Sequence, residues 1–221
     1  MPLISHRGAA ALAPANTIKS VKIGDRFNPA YIEVDVNYTS DDVLVMYHGS
    51  VARFLQGKKT KETFDQLQNK HPDLIKFKDF LDYTPHAPYL FDIKVADTAA
   101  IESIIELIKK SKVMGCGFTS PHETALQTLQ KNFPDALILQ SQPYHHGPMA
   151  ALELARKNNF GGVMLNKWWL NPFVYNLCRM HRKKIGIYTI DSSIAIWLSQ
   201  KLFPGAYITT NRPDMYRRIF P

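Results

Sequence analysis

The chain has 221 residues, enough for one large domain with a full hydrophobic core and near the lower end for a complete eight-fold barrel. Hydrophobic residues make up 45%, an ordinary globular value that excludes disorder, and no apolar run approaches the roughly 18 residues of a membrane-spanning helix. The formal charge of +8 favours anionic partners, but the lysines are scattered and no basic stripe is interleaved with aromatics. A generally basic surface is the plainer reading, and no nucleic-acid partner is expected.

The opening Met1-Pro2-Leu3-Ile4-Ser5-His6-Arg7 has no basic leader, apolar segment or small-residue cleavage site. Cys116 and Cys178 lack the spacing of a zinc knuckle or a disulfide framework and read as buried small hydrophobes. Together these features lead to an expectation of a cytoplasmic protein.

Strands are expected at Leu3–Ser5, Tyr31–Val36, Val43–Tyr47, Tyr89–Val95, Val113–Phe118, Ala136–Leu139, Gly162–Leu165, Lys184–Ile190 and Ala206–Thr209. Several are almost continuously apolar, as strands buried on both faces of a parallel sheet should be. Helices fit Thr17–Arg26, Lys61–Asn69, Ala99–Lys110, Pro121–Asn132, Met149–Asn158, Pro172–His181 and Ser192–Leu202. In Ala99–Lys110 the apolar face is Ile101, Ile104, Ile105 and Ile108. The alternation argues for an α/β fold with a parallel sheet in one domain covering residues 1–221. Nine strands are one too many for an eight-stranded barrel. Val43–Tyr47 follows Tyr31–Val36 through the polar turn Tyr38–Asp42, so it either pairs back antiparallel or supplies the third barrel strand. An open doubly-wound sheet also fits the pattern, although no glycine-rich phosphate loop follows a strand.

In a barrel, chemistry sits at the C-terminal ends of the strands. His6-Arg7 closes the first apolar run, Glu33 and Asp35 lie in the second, His48 ends the third, and Asp92 and Lys94 lie in the fourth. Residues two apart on a strand share a face, so Glu33 and Asp35 point together, as do Asp92 and Lys94. Carboxylates turned into a sheet core are costly unless paired or bound to a metal. Three converging carboxylates suit a hard divalent cation, Mg²⁺ or Ca²⁺; the competing reading is ion pairing with Arg7 and Lys94. His6 and His48 titrate near neutrality, and phosphodiester cleavage needs one group to take a proton and one to give it. Arg7 and Lys94 can hold the non-bridging oxygens of a phosphate.

These residues resemble a known family. His6-Arg7-Gly8 followed by Pro14-Ala15-Asn16-Thr17 is similar to the HRG…PENT opening of glycerophosphodiester phosphodiesterases. Ile32–Val36 resembles the family's IExDV, Thr39–Asp42 with Val43–His48 its TxDG and following HD strand, and Phe91–Lys94 its xEIK. Tyr188–Asp191 resembles the late WTVN/D strand and Thr209–Asp214 the closing TDxPD, so the ordered matches run from residue 4 to residue 214. The resemblance implies a (β/α)8 TIM barrel, a divalent metal, and hydrolysis of a small glycerophosphodiester to sn-glycerol 3-phosphate and an alcohol. It carries metal ligation onto Glu33, Asp35 and Asp92, proton transfer onto His6 and His48, and phosphate contact onto Arg7 and Lys94. Four positions depart: Ala15 for Glu, Gly49 for Asp, Asp92 for Glu and Asn211 for Asp.

The remaining features are less specific. His145-His146-Gly147 reads as an exposed loop in preference to a metal pair. Trp168 or Trp169 could stack on a head group, anchor at a membrane interface or simply pack at a helix start. A lipid-directed phosphodiesterase of the lysophospholipase D kind would need an apolar lid; Gly49–Lys59, with Arg53, Lys58 and Lys59, supports one only weakly, so a peripheral membrane contact has no firm support here. A non-catalytic phosphate-binding module is the reading from another class, and the presence of both His6 and His48 counts against it.

Overall fold

A computed structural model describes residues 2–113, 115–141 and 147–221. In chain order the elements are β1 (Leu3–Ser5), α1 (Ile18–Asp25), β2 (Tyr31–Tyr38), β3 (Leu44–Met46), α2 (Val51–Leu55), α3 (Phe64–Lys70), α4 (Phe77–Phe80), β4 (Tyr89–Ile93) and α5 (Thr98–Lys110). Then follow β5 (Cys116–Ser120), α6 (Glu123–Asn132), β6 (Leu137–Ser141), α7 (Gly147–Lys157), β7 (Gly162–Asn166), a 3₁₀ turn (Lys167–Trp169), α8 (Pro172–Met180), β8 (Lys184–Tyr188), α9 (Ser193–Leu202), β9 (Tyr207–Thr210) and α10 (Pro213–Ile219). His145 and His146 lie outside the described residues.

The strands run β1-β9-β8-β7-β6-β5-β4-β2, all parallel, and β1 pairs with β2 to close the ring. This is the (β/α)8 barrel, and the open-sheet alternative falls. The ninth strand is resolved by β3, which pairs antiparallel on β2 with Val36 opposite Met46 and Tyr38 opposite Leu44. The turn between them forces that return: Thr39 exchanges backbone and side-chain bonds with Val43, and Asp42 takes a left-handed φ of 66°.

Alternation along the strands divides the core in two. Ile32, Val34 and Val36 of β2 and Phe91 and Ile93 of β4 face outward and join the large cluster under the helices, where Ile101, Ile104, Ile105 and Ile108 of α5 meet them. Ile4, Leu90, Leu139 and Met164 face inward and fill the barrel interior as a separate apolar cluster. The inward positions further along β1, β2 and β4 then carry His6, Glu33, Asp35, Asp92 and Lys94. The interior therefore changes from apolar to charged along the barrel axis.

Helix limits follow capping. Thr63 and Gln66 form a reciprocal capping box, so α3 starts at Phe64 instead of Lys61. Asp97 caps α5 by accepting from the Ala100 N–H. The strand expected at Val113–Phe118 is observed at Cys116–Ser120. Residues Pro213–Ile219 form α10 with Tyr216 fully buried, and Arg217 donates to the Phe27 and Asn28 carbonyls; Arg218 is exposed. Burial raises both cysteine thiols to about 11, as inert hydrophobes would have. No helix among the described residues is long and apolar enough to cross a membrane.

Candidate active site

The His6-Arg7-Gly8 turn after β1 has to double back against α1. Arg7 and Gly8 both take positive φ, 50° and 84°. A Cβ on Gly8 would lie 2.6 Å from the carbonyl carbon of Ser20, so a side chain there would collide with α1. The Ser20 hydroxyl donates to the Arg7 carbonyl at 2.9 Å and fixes the turn on the helix. The turn's shape delivers the Arg7 backbone N–H to Glu33 Oε2 at 2.9 Å and the Arg7 guanidinium to Asp35 Oδ2 at 3.0 Å.

Asp35 and Asp92 are register partners on neighbouring strands, and Glu33 is one inward position before Asp35. One carboxylate oxygen from each residue lies within 4.8 Å of those of the other two, a spacing that would let the three residues hold one metal ion. Lys94, only 3% exposed, reaches Asp35 Oδ1 at 2.9 Å and also contacts Asp92. The three carboxylates converge, and two of them, Asp35 and Asp92, are ion-paired with Arg7 or Lys94. Asn16 was not foreseen as a site residue. It holds Asp35 from both sides, donating from Nδ2 to Oδ2 at 2.9 Å and accepting the Asp35 N–H at 2.9 Å. The signal was present in its φ of 60°, a left-handed position that Asn tolerates, but that is invisible until the loop is built.

Two cations face three carboxylates, and the carboxylates titrate apart. Burial opposes ionisation of Asp35, but Lys94 and Arg7 overcome it and hold the carboxyl far below its usual range. Burial pushes Glu33 well up, with Asp35 and Asp92 adding to it, and burial also raises Asp92. Burial works against the Lys94 ammonium, yet Asp35, Asp92 and Glu33 keep it protonated. Asp92 Oδ1 is buried and has no hydrogen-bond partner. An all-oxygen donor set with excess negative charge and an unsatisfied carboxylate oxygen fits a hard divalent cation.

His6 Nδ1 lies 2.7 Å from Asn211 Oδ1. Asn211 Nδ2 is committed to Asp191 Oδ2 at 2.7 Å, so Oδ1 is turned to the ring and Nδ1 is the donor. Asp191 is itself anchored by the Thr210 hydroxyl and the Asn211 N–H. The neutral ring thus keeps its proton on Nδ1 and presents an unprotonated Nε2, 3.7 Å from Glu33 Oε2. Burial, then the Arg7 charge, lowers His6 to about 4. His48 Nδ1 donates to the Gly49 carbonyl at 3.1 Å, and burial likewise lowers its pKa.

All seven residues singled out from the sequence line one cleft of about 470 Å³: His6, Arg7, Glu33, Asp35, His48, Asp92 and Lys94. Thr119, one residue past the strand expected at Val113–Phe118, and Tyr188, the first residue of the late strand motif, line it too and were not singled out as site residues.

Fold and site define a (β/α)8-barrel protein with a carboxylate-rich, metal-competent cleft at the C-terminal mouth. Residues 6–103 match the Glycerophosphoryl diester phosphodiesterase family, a span containing all seven site residues. The chain is 23% identical to the glycerophosphodiester phosphodiesterase of Bacillus subtilis strain 168, over 98% of this chain and 85% of that one. Among solved structures, a glycerophosphodiester phosphodiesterase from Parabacteroides distasonis superposes with a TM-score of 0.79 at 20% identity, covering 99% of this chain and 95% of the other. A phosphodiesterase from Oleispira antarctica, in complex with the product sn-glycerol-3-phosphate, gives 0.78 at 15% identity over 99% and 96%. Over residues 6–103 the chain thus resembles the glycerophosphoryl diester phosphodiesterase family.

Proposed function

We propose that the protein is a phosphoric diester hydrolase that cleaves small glycerophosphodiesters to sn-glycerol 3-phosphate and an alcohol, using one divalent cation, Mg²⁺ or Ca²⁺. The observation that carries this reading is the convergence of Glu33, Asp35 and Asp92 beside His6 and His48 in one cleft. The product in the Oleispira antarctica complex is of the same chemical kind.

Glu33, Asp35 and Asp92 would hold the cation, which neutralises phosphate charge and makes an oxygen nucleophile more acidic. Arg7 and Lys94 line the cleft with positive charge for the non-bridging oxygens. His6 is suited to take the proton from the nucleophile, because its Nδ1–H is used by Asn211 and its Nε2 carries the lone pair. His48, with Nδ1–H held by the Gly49 carbonyl, would act in its protonated form and give its Nε2 proton to the leaving alkoxide. Replacing either histidine by Ala should lower kcat by roughly 10²–10⁴-fold and move KM less, because the phosphate contacts remain. Near-normal kcat in both variants would overturn the two-histidine assignment. The direct test of the whole reading is turnover of glycerophosphocholine across a metal titration. Activity that survives excess chelator would refute the metal, and no turnover with any divalent cation would leave a phosphate-binding module.

A further inference from the structure

The wall formed by β7, β8 and their helices differs from the rest of the molecule in two independent ways. The first is charge. Residues 162–202, from β7 through α9, contain six Lys or Arg and a single acidic residue, Asp191, which is committed to Asn211 and Thr210. The rest of the chain carries 21 basic and 18 acidic residues, so five of the eight net positive charges belong to this wall.

The second is an apolar surface facing solvent. Along α9, Ile194, Trp197, Leu198 and Leu202 recur at helical spacing and are all exposed, Ile194 at 71%, while Ile196 and Phe203 face the core. A surface helix ordinarily turns polar residues outward. Beside it, α8 exposes Phe173 at 68% and Met180. The two helices are neighbours: the Tyr175 and Phe203 rings lie 5.3 Å apart, and the Tyr175 hydroxyl donates to the Pro204 carbonyl. At the cleft, which Asn166 and Lys167 line, the next residue, Trp168, is 82% exposed and precedes α8. Cations stand over the aromatics, Lys167 at 5.4 Å from the Trp168 ring and Lys201 at 6.0 Å from that of Trp197.

We propose that this wall is a docking surface for an anionic lipid bilayer, which holds the cleft at the membrane. Tryptophan with flanking lysine suits the membrane–water interface, and aliphatic side chains gain from entering the acyl boundary. Nucleic acid would engage the cations but leave Ile194, Leu198 and Leu202 exposed. A second copy of the chain, docked on the same face, would set Arg179 and Lys201 against their own like charges. An anionic lipid surface satisfies both the charge and the apolar area. This goes beyond the hydrolase reading and does not depend on it.

The test is co-sedimentation of the whole chain with vesicles of phosphatidylcholine alone or of phosphatidylcholine with phosphatidylglycerol. The parent should adsorb to the anionic vesicles and far less to the neutral ones. Ile194→Ser/Trp197→Ser and, separately, Lys201→Glu should each weaken adsorption by roughly tenfold or more. Neither substitution touches the cleft, so turnover of soluble glycerophosphocholine should be that of the parent, which also verifies folding. No adsorption of the parent, or variants that adsorb as the parent does, would overturn the proposal. A concentration-dependent dimer that Trp197→Ser dissolves, without vesicle adsorption, would assign the face to a second copy instead. Adsorption by a parent that turns over no diester would leave this inference standing and refute the hydrolase reading.

Discussion

Asp92 is one methylene shorter than the glutamate at the resembled position, yet its carboxylate comes within reach of Glu33 and Asp35. Its register partner is Asp35, so the strand pairing itself brings the two together and the shorter side chain suffices. If Asp92 is a ligand, Asp92→Asn should weaken metal binding measured by calorimetry, whereas Asp92→Glu should retain it. Equal affinity in all three proteins would remove Asp92 from the metal site. The pairing of Asn211 with Asp191 is the other departure that the structure explains. Each is the amide–carboxylate complement of the other, so one donates where the other accepts. Asn211→Asp alone would turn a carboxylate against Asp191 and release the His6 ring. We expect it to lower kcat, and Asp191→Asn/Asn211→Asp to recover much of the loss, with a coupling of about 0.5–3 kcal/mol. A double variant no better than the product of the single losses would mean that the pair does not orient His6.

At the scale of elements, the loop ahead of β4 is tied to the end of α1 by one residue. The Asp25 carboxylate accepts from the His86 N–H at 3.0 Å, the Ala87 N–H at 3.0 Å and the His86 ring at 2.8 Å. Burial opposes its ionisation, but the Ala87 and His86 bonds win and its pKa lies below the ordinary value. A carboxyl depressed in the folded state adds stability above its unfolded pKa, and that stability is lost as pH falls through the folded value. Asp25→Ala should therefore cost about 1–3 kcal/mol in urea unfolding at neutral pH. The gap from the parent should narrow below about pH 4. An unchanged gap at acid pH would mean that the cost is packing alone. The elements themselves were largely legible because strand runs such as Tyr89–Ile93 are apolar but for Asp92 and α5 has a clear Ile face. The short helices α2 and α4, with 5 and 4 residues, span too little chain for periodicity to register. The antiparallel return of β3 depended on the Thr39–Val43 turn bonds, which composition leaves open. Among site residues, those on alternating strand positions were readable from spacing. Asn16 was not, because it acts from a loop whose position depends on Gly8 meeting Ser20 across α1.

For the molecule as a whole, the charged layer lies above an apolar plug of Ile4, Leu90, Leu139 and Met164. Three carboxylates and two cations are enclosed there by strands β1, β2 and β4, which are neighbours in the ring. Burying unbalanced charge costs stability, and Lys94 and Arg7 offset part of it. A bound divalent cation should then stabilise the entire barrel and not the loops alone, because its ligands come from strands that close the ring. A ligand that binds only the folded state, at about 100 times its Kd, contributes about 2.7 kcal/mol. For a chain of this length that corresponds to a rise in Tm of roughly 5–11 °C. We expect Mg²⁺ or Ca²⁺ to produce such a rise, chelator to reverse it, and Glu33→Gln to abolish it. Scanning calorimetry separates this from surface binding: Asp73→Asn, on an exposed position outside the cleft, should leave the metal-dependent rise intact. A rise that persists in Glu33→Gln, or none in the parent at saturating metal, would show that the carboxylate layer is balanced by Arg7 and Lys94 and takes no ion.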